Sequence, residues 1–325
     1  MGIKNLNKLL KTRAPDSIRK IHLSEYSYKK VAIDISLYMC KYKAIYGETW
    51  LYAFLKLVGS LRKNEIHCVF IFDGKAPEDK SEEKIRRKNQ KQKLEKTVYE
   101  LEIALNSYYQ TGIVEKILQD LYNKRRGARL LKKEARIDMD WVEEKIKQKK
   151  KQILNISEKD FDLVKVLFQI LDVPFYTAPG EAEKMCSKLC IDGLVDAVLS
   201  EDTDVLAYRS PCFLSKIDTR SETCTLIEFT EIIKELELDK DEFLDVCIMC
   251  GTDYNTNIPK VGSINSYKLI QQHGSIENVA ENTKYDISIL KHIRGRELFT
   301  TFEDYKLESI PYCGQPNFEK LIEFT

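Results

Sequence analysis

The sequence predicts an α/β fold with a central, mostly parallel sheet, helices on both faces, one helical insertion and a helical C-terminal region. Three observations predict it. Unbroken apolar runs such as Val31-Ala32-Ile33 and Cys68-Val69-Phe70-Ile71-Phe72 suit strands covered on both faces. Stretches with helical apolar spacing alternate with these runs, as the crossovers of a parallel sheet require. Several runs end in a carboxylate, and open parallel sheets bind ligands beyond the carboxyl ends of their strands.

In chain order, the first third reads β-α-α-β. Lys30 to Asp34 is a strand, Leu37 to about Tyr46 and Trp50 to Leu61 are helices, and Cys68 to Gly74 is a second strand. From about Asp79 to Lys151 the chain is rich in Lys, Arg, Glu and Gln, with helical periodicity and little Pro or Gly. Its basic residues cluster at Arg86-Arg87-Lys88, at Lys124-Arg125-Arg126 and from Lys147 to Lys151. A solvated helical hairpin is the plain reading; a strand-binding element fits better because the basic stretch interrupts an otherwise acidic α/β pattern. The pattern resumes with a helix from Glu158 to Leu171, a strand at Val173 to Tyr176, a helix from Glu181 to Ile191 and a strand at Asp196 to Ser200. Cys212 to Ser215 and Thr223 to Ile227 are later strands, and beyond Phe229 the chain reads as helical to its end.

Lys and Arg total 52 against 51 Asp and Glu. This near-neutral sum hides a basic insertion in an acidic remainder, so it does not exclude nucleic acid. Nine cysteines, an odd count in a long chain with no secretory segment, predict an intracellular thiol protein rather than a disulfide scaffold. Cys247 and Cys250 form a C-x-x-C, but their surroundings read as a buried helix and no second ligand pair lies at zinc spacing. No run of about 18 apolar residues predicts a membrane span.

The acids follow a pattern. Asp34 and Asp73 close the first two strands. Glu181 and Glu183 follow the turn Ala178-Pro179-Gly180, Asp202 and Asp204 follow the strand ending Leu199-Ser200, and Asp253 follows the break Cys250-Gly251-Thr252. Any one of them alone is more often a cap or turn former. Together in one cleft they repel by on the order of 4 kcal/mol per pair at about 4 Å and an effective dielectric near 20. Such a site requires cations, and an oxygen-only set favours Mg2+, with Mn2+ as substitute. Two such ions about 3.5–4 Å apart can activate a water and stabilise the leaving oxygen of a phosphodiester.

These residues resemble the flap endonuclease/XPG group of 5′ nucleases. The likeness covers about residues 1–110 and 155–325: Met1-Gly2-Ile3-Lys4-Asn5-Leu6, Val31-Ala32-Ile33-Asp34, Phe72-Asp73-Gly74-Lys75-Ala76-Pro77, Ala178-Pro179-Gly180-Glu181-Ala182-Glu183, Glu201-Asp202-Thr203-Asp204 and Cys250-Gly251-Thr252-Asp253-Tyr254. The resemblance implies a PIN-like nuclease domain over 1–325, in parts 1–78 and 156–250. It also implies a basic helical arch at 79–155, a degenerate helix–two-turn–helix at 251–285 and C-terminal helices at 286–325. It implies that Asp34, Asp73, Glu181 and Glu183 serve a first metal and Asp202, Asp204 and Asp253 a second, with Glu183 near both. Lys80 and Arg87 would hold the scissile phosphate. Gly2, Gly262 and the arch residues Lys124, Arg125 and Arg126 would lie against DNA carrying 5′ flaps or junctions.

The match has departures. The insertion is longer than usual in the group, Lys260 replaces a glycine of the helix–two-turn–helix, and Ser263-Ile264 stands where a basic pair is usual, which leaves K+ binding there open. Cys40 falls where the group stacks an aromatic residue, with Tyr38 or Tyr42 as substitutes. No sliding-clamp motif is visible, and a monomer is expected. The resemblance predicts a Mg2+-dependent flap endonuclease of DNA replication, repair or recombination, working in the nucleus or another intracellular or viral replication site. A 5′ exonuclease or junction-resolving enzyme shares the chemistry, and a non-catalytic junction binder is the alternative of another class.

Overall fold

The computed structural model describes residues 2–75, 77–124, 137–153 and 155–324. Five parallel strands carry the fold: β2 (Lys30–Asp34), β3 (His67–Phe72), β4 (Phe175–Thr177), β5 (Ala197–Leu199) and β6 (Cys212–Asp218), counted after an N-terminal strand β1 (Ile18–His22). The sheet order is β1-β7-β6-β5-β2-β3-β4, with β7 (Thr223–Glu228) antiparallel to both β6 and β1. Side chains alternate across the sheet, as period-two strands require. Ala32, Val69, Ile71 and Val198 enter one core, and Val31, Ile33, Phe70 and Leu199 enter the other.

Helices fill both faces. After α1 (Leu6–Arg13) come α2 (Ile35–Tyr46) and α3 (Trp50–Lys63), which cover one face together with α7 (Glu158–Ile170). The other face receives α1, α8 (Ala182–Ile191), the short α9 (Asp204–Ala207), α10 (Phe229–Leu236) and α11 (Lys240–Cys250). Cys247 and Cys250 lie buried in α11. Next come α12 (Ser263–His273), α13 (Ile276–Asn282), α14 (His292–Thr300) and α15 (Phe318–Phe324).

The insertion is more than a solvated hairpin. Its helices α4 (Ser81–Thr111), α5 (Lys116–Asn123) and α6 (Met139–Lys150) close a core of their own around Leu101, Leu105, Leu118, Leu121, Val142 and Ile146. The first half of α4, up to Val98, buries no side chain. It is a polar stalk carrying a small apolar head.

Two sequence expectations are corrected. The first third opens with α1 and β1, which were not anticipated; in β1 (Ile-Arg-Lys-Ile-His) the one fully buried residue is Ile21, so the edge strand lacks an apolar run. The C-terminal region is not helical throughout: residues 301–317 form no helix among the described residues. Pro311 and Pro316 cannot supply helical N–H groups, and the segment straps the molecule instead. Lys30 Nζ donates to Ile310 O (2.5 Å), Arg62 Nη1 donates to Gly314 O (2.7 Å), and Gly314 N donates to Asp172 O (2.9 Å).

Lys260, in the loop before α12, adopts φ +65°, where a Cβ costs about 1–2 kcal/mol relative to glycine. Part of that is offset by glycine's greater freedom in the unfolded chain. Lys260→Gly is therefore expected to raise stability by about 0.5–1 kcal/mol, read as a higher denaturant midpoint at unchanged slope. A lower midpoint would show that the lysine side chain contributes more than its backbone costs.

Candidate active site

Six of the seven acids singled out in the sequence are positioned by strand ends or helix starts, and the seventh by a loop. Asp34 ends β2 and caps α2, accepting from Ser36 N (3.0 Å). Asp73 follows β3, where its Oδ1 accepts from Ala182 N (2.9 Å) and its Oδ2 from Ser36 Oγ. Glu181 is the N-cap residue of α8 and Glu183 lies in its first turn. Asp202 follows β5 and its Oδ1 accepts from Asp204 N (3.0 Å) at the start of α9. Asp253 lies in the loop after α11. The β3–α8 contact depends on Gly74, whose N donates to Gly180 O (2.8 Å) and whose missing Cβ would meet Ala178 O.

Lys80 lies among these acids at the foot of α4. Its Nζ is 2.5 Å from Glu181 Oε1, 3.4 Å from Glu183 Oε1 and 3.5 Å from Asp253 Oδ2. Arg87, two turns along α4, donates to Asp253 Oδ2 (2.8 Å) and to Glu83 Oε1 (2.7 Å). The predicted basic pair thus meets the acids directly. A cleft of 740 Å³ opens beside them, lined by Gly2, Lys4, Arg86, Arg87, Asp253 and Lys291 among others.

The electrostatics are those of a site short of positive charge. Burial, then Glu183 and Asp73, push the Asp34 carboxyl well above its usual range. Burial raises Glu183 to about 8, with Lys80 opposing and Glu181 and Asp202 adding. Asp204 is raised by burial and by Asp202. Burial opposes the charge on Lys80, yet Glu183, Tyr254 and Glu181 together hold its ammonium well above the usual range. Asp204 is fully buried and neither of its carboxyl oxygens has a hydrogen-bond partner. Unpaired buried carboxylates are costly, and a hard divalent cation is the group whose chemistry fits them. Among the described residues, no three His, Cys, Asp or Glu converge as a ready-made ion cage. Mg2+ does not require one, because it keeps several waters between itself and its protein ligands.

Gly2 has φ +81°, and a Cβ there would run into Asp202 Oδ1 and stand 2.8 Å from Asp204 Oδ1. The N-terminal segment is therefore part of the acid cluster. Gly2→Ala is expected to displace both aspartates and slow single-turnover cleavage roughly 10- to 100-fold, with little change in melting temperature. An unchanged rate would mean that the terminus moves aside without cost.

Other expected contacts fall elsewhere. Lys124 ends α5 in the insertion head, and Gly262 caps α12 beside Asn5 and Lys8. Neither lines the cleft at the acids. Arg125 and Arg126 lie outside the described residues. Tyr38 and Tyr42 do not replace the stacking aromatic expected at Cys40. Both are buried in the core, Tyr42 edge-on to Phe54 with ring centroids 4.9 Å apart. Two residues had no predicted role: Tyr208 and Tyr254, whose hydroxyls lie against Glu181 Oε2. Tyr254 directly follows Asp253, and that adjacency was the available signal.

Comparison with known proteins matches residues 1–94 to the XPG N-terminal domain and residues 172–253 to the XPG I-region. The chain is similar to a probable RAD2-like endonuclease, 369L, of invertebrate iridescent virus 6 (34% identity, covering 100% of this chain and 88% of that protein). It is also similar to flap endonuclease 1 of Candida tropicalis (31% identity, covering 100% and 83%). Among solved structures, the catalytic core of Rad2 in complex with DNA substrate superimposes with a TM-score of 0.69 at 17% identity, covering 99% of this chain and 94% of that one.

Proposed function

Because the chain belongs to the flap endonuclease/XPG family of structure-specific 5′ nucleases, we propose that it hydrolyses DNA at the base of 5′ flaps with the help of two Mg2+ ions. Nucleases of this family are metal-dependent. One observation carries the reading for this chain: seven carboxylates from four parallel strand ends and one loop cluster beside a cleft, with Lys80 set among Glu181, Glu183 and Asp253 and Arg87 on Asp253 at the cleft wall. A protein that only gripped DNA would gain nothing from that charge facing phosphates.

Asp34, Asp73, Glu181 and Glu183 would hold one ion, and Asp202, Asp204 and Asp253 the other, with Glu183 near both. Mn2+ would substitute. When bound, the ions supply an activated water and charge stabilisation at the leaving oxygen. The chain's own groups do the rest. Lys80 and Arg87 reach the same acids from the foot of α4 and are placed to grip the scissile phosphate, where a fixed cation stabilises the charge that develops in the transition state. Gly2 keeps the N-terminal segment close to the acids without a side chain in the way. The basic stalk of α4 and Lys124 in its head would follow the 5′ strand, as would Arg125 and Arg126, next in the chain, and Gly262 at α12 would meet duplex backbone. Contacts of this kind read shape and phosphates rather than sequence. The protein would act as a monomer at an intracellular site of DNA replication, a setting that suits its nine free thiols.

The test is a 5′-labelled double-flap DNA beside blunt, gapped and four-way-junction controls, each with Mg2+ or with EDTA. One dominant Mg2+-dependent cut near the flap base is expected. A ladder from blunt or gapped ends would make the protein a 5′ exonuclease, and preferred cutting of the four-way junction would make it a resolving enzyme.

A further inference from the structure

Glu181 differs from the other six acids in how its two oxygens are used. Oε1 lies toward the other acids and meets Lys80 Nζ at 2.5 Å. Oε2 points the other way and accepts from Tyr254 OH, while Tyr208 OH lies 3.3 Å from Oε2 and 3.0 Å from Tyr254 OH. The three groups form a closed triangle inside the protein, and both tyrosines and Glu181 are buried.

The hydroxyls are themselves held in place. The Tyr208 ring packs on Phe299 and Phe302 (centroids 5.0 and 6.1 Å), and the Tyr254 ring packs edge-on to Phe299 (5.3 Å). Phe299 belongs to α14 and Phe302 to the strap that follows it. An aromatic cluster far along the chain therefore sets where two donors stand, and the donors set how one carboxylate is turned.

We propose that Tyr254 and Tyr208 are positioning residues for Glu181: their hydroxyls engage Oε2, so that Oε1 alone is presented to the cation site. This rests on the reading of Glu181 as a cation ligand. Without the hydroxyls, Oε2 would be a buried oxygen lacking a donor, and such an oxygen turns toward the nearest one. That donor is Lys80. A carboxylate sharing both oxygens with Lys80 competes with an incoming cation, so the loss should appear as weaker metal binding.

The test uses the full chain without DNA and reads Mn2+ binding from the electron paramagnetic resonance signal of the free ion. Tyr254→Phe keeps the ring and removes the hydroxyl, and it is expected to weaken Mn2+ binding about tenfold, as loss of one hydrogen bond to a charged group predicts. Tyr208→Phe, which acts largely through Tyr254, is expected to weaken it about threefold. The Mg2+ concentration that half-activates cleavage should rise in parallel, while KM for DNA stays within about twofold, a split that lost packing alone would not give. In a Glu181→Gln background, Tyr254→Phe should cause no further loss. If Glu181→Gln weakens Mn2+ binding and neither phenylalanine variant does, the positioning role is overturned. If Glu181→Gln leaves Mn2+ binding unchanged, the ligand assignment itself is wrong and the role falls with it. Should Tyr254→Phe not fold, Tyr208→Phe carries the same test at its smaller expected shift.

Discussion

Asp204→Ala is expected to lower single-turnover cleavage of a flap DNA by on the order of 10³-fold or more, and also to raise the melting temperature of the protein in EDTA. The two effects have opposite signs for one physical reason. Asp204 is buried, both its oxygens lack partners, and Asp202 lies beside it. Without a cation this carboxyl only costs free energy, and its removal should return about 1–3 kcal/mol. Asp202→Ala should share the catalytic loss without the full gain in stability, because Asp202 Oδ1 also accepts the amide of Asp204 at the start of α9. Flap binding should stay within about tenfold in both variants, since affinity for DNA comes mainly from basic groups on phosphates. A folded Asp204→Ala protein that cleaves at the normal rate would remove Asp204 from the site. One that is less stable in EDTA would show that the carboxyl has a structural partner.

Lys80→Ala should have the next largest effect, and its stability sign is reversed. Lys80 is the cation closest to Glu181, and it also reaches Glu183 and Asp253. Removing one partner of a buried ion pair typically costs about 3–5 kcal/mol. That loss should appear in EDTA and largely recover in Mg2+, because the ion replaces the missing charge. At saturating Mg2+ the single-turnover rate should still fall by about 10²–10³-fold, as for loss of one preorganised transition-state donor, with a smaller change in affinity. If affinity falls and the rate constant does not, Lys80 positions DNA rather than stabilising the transition state.

Much of this site was legible in the sequence because each acid sits where the backbone changes type. Asp34, Asp73 and the Asp202/Asp204 pair close apolar runs, and Glu181 follows a Pro-Gly turn, so strand ends and helix starts announced them. Packing between distant segments was not legible. The Tyr208–Tyr254–Glu181 triangle joins residues up to 73 positions apart. β1 was missed because it is an edge strand whose exposed Arg19, Lys20 and His22 hide the pattern. The strap at 301–317 is held by single donors such as Lys30 and Arg62 rather than by any periodic face. The burial of Tyr38 and Tyr42 did have a signal: with Ile35 and Met39 they follow the i, i+3, i+4, i+7 spacing of a core-facing helix stripe.

The most direct test of the two-ion site is anomalous diffraction from crystals of the protein grown with Mn2+. Two peaks about 3.5–4 Å apart, one toward Asp34, Asp73, Glu181 and Glu183 and the other toward Asp202, Asp204 and Asp253, are the predicted result. No peak among these acids at saturating Mn2+, with Lys80 still against Glu181, would contradict it.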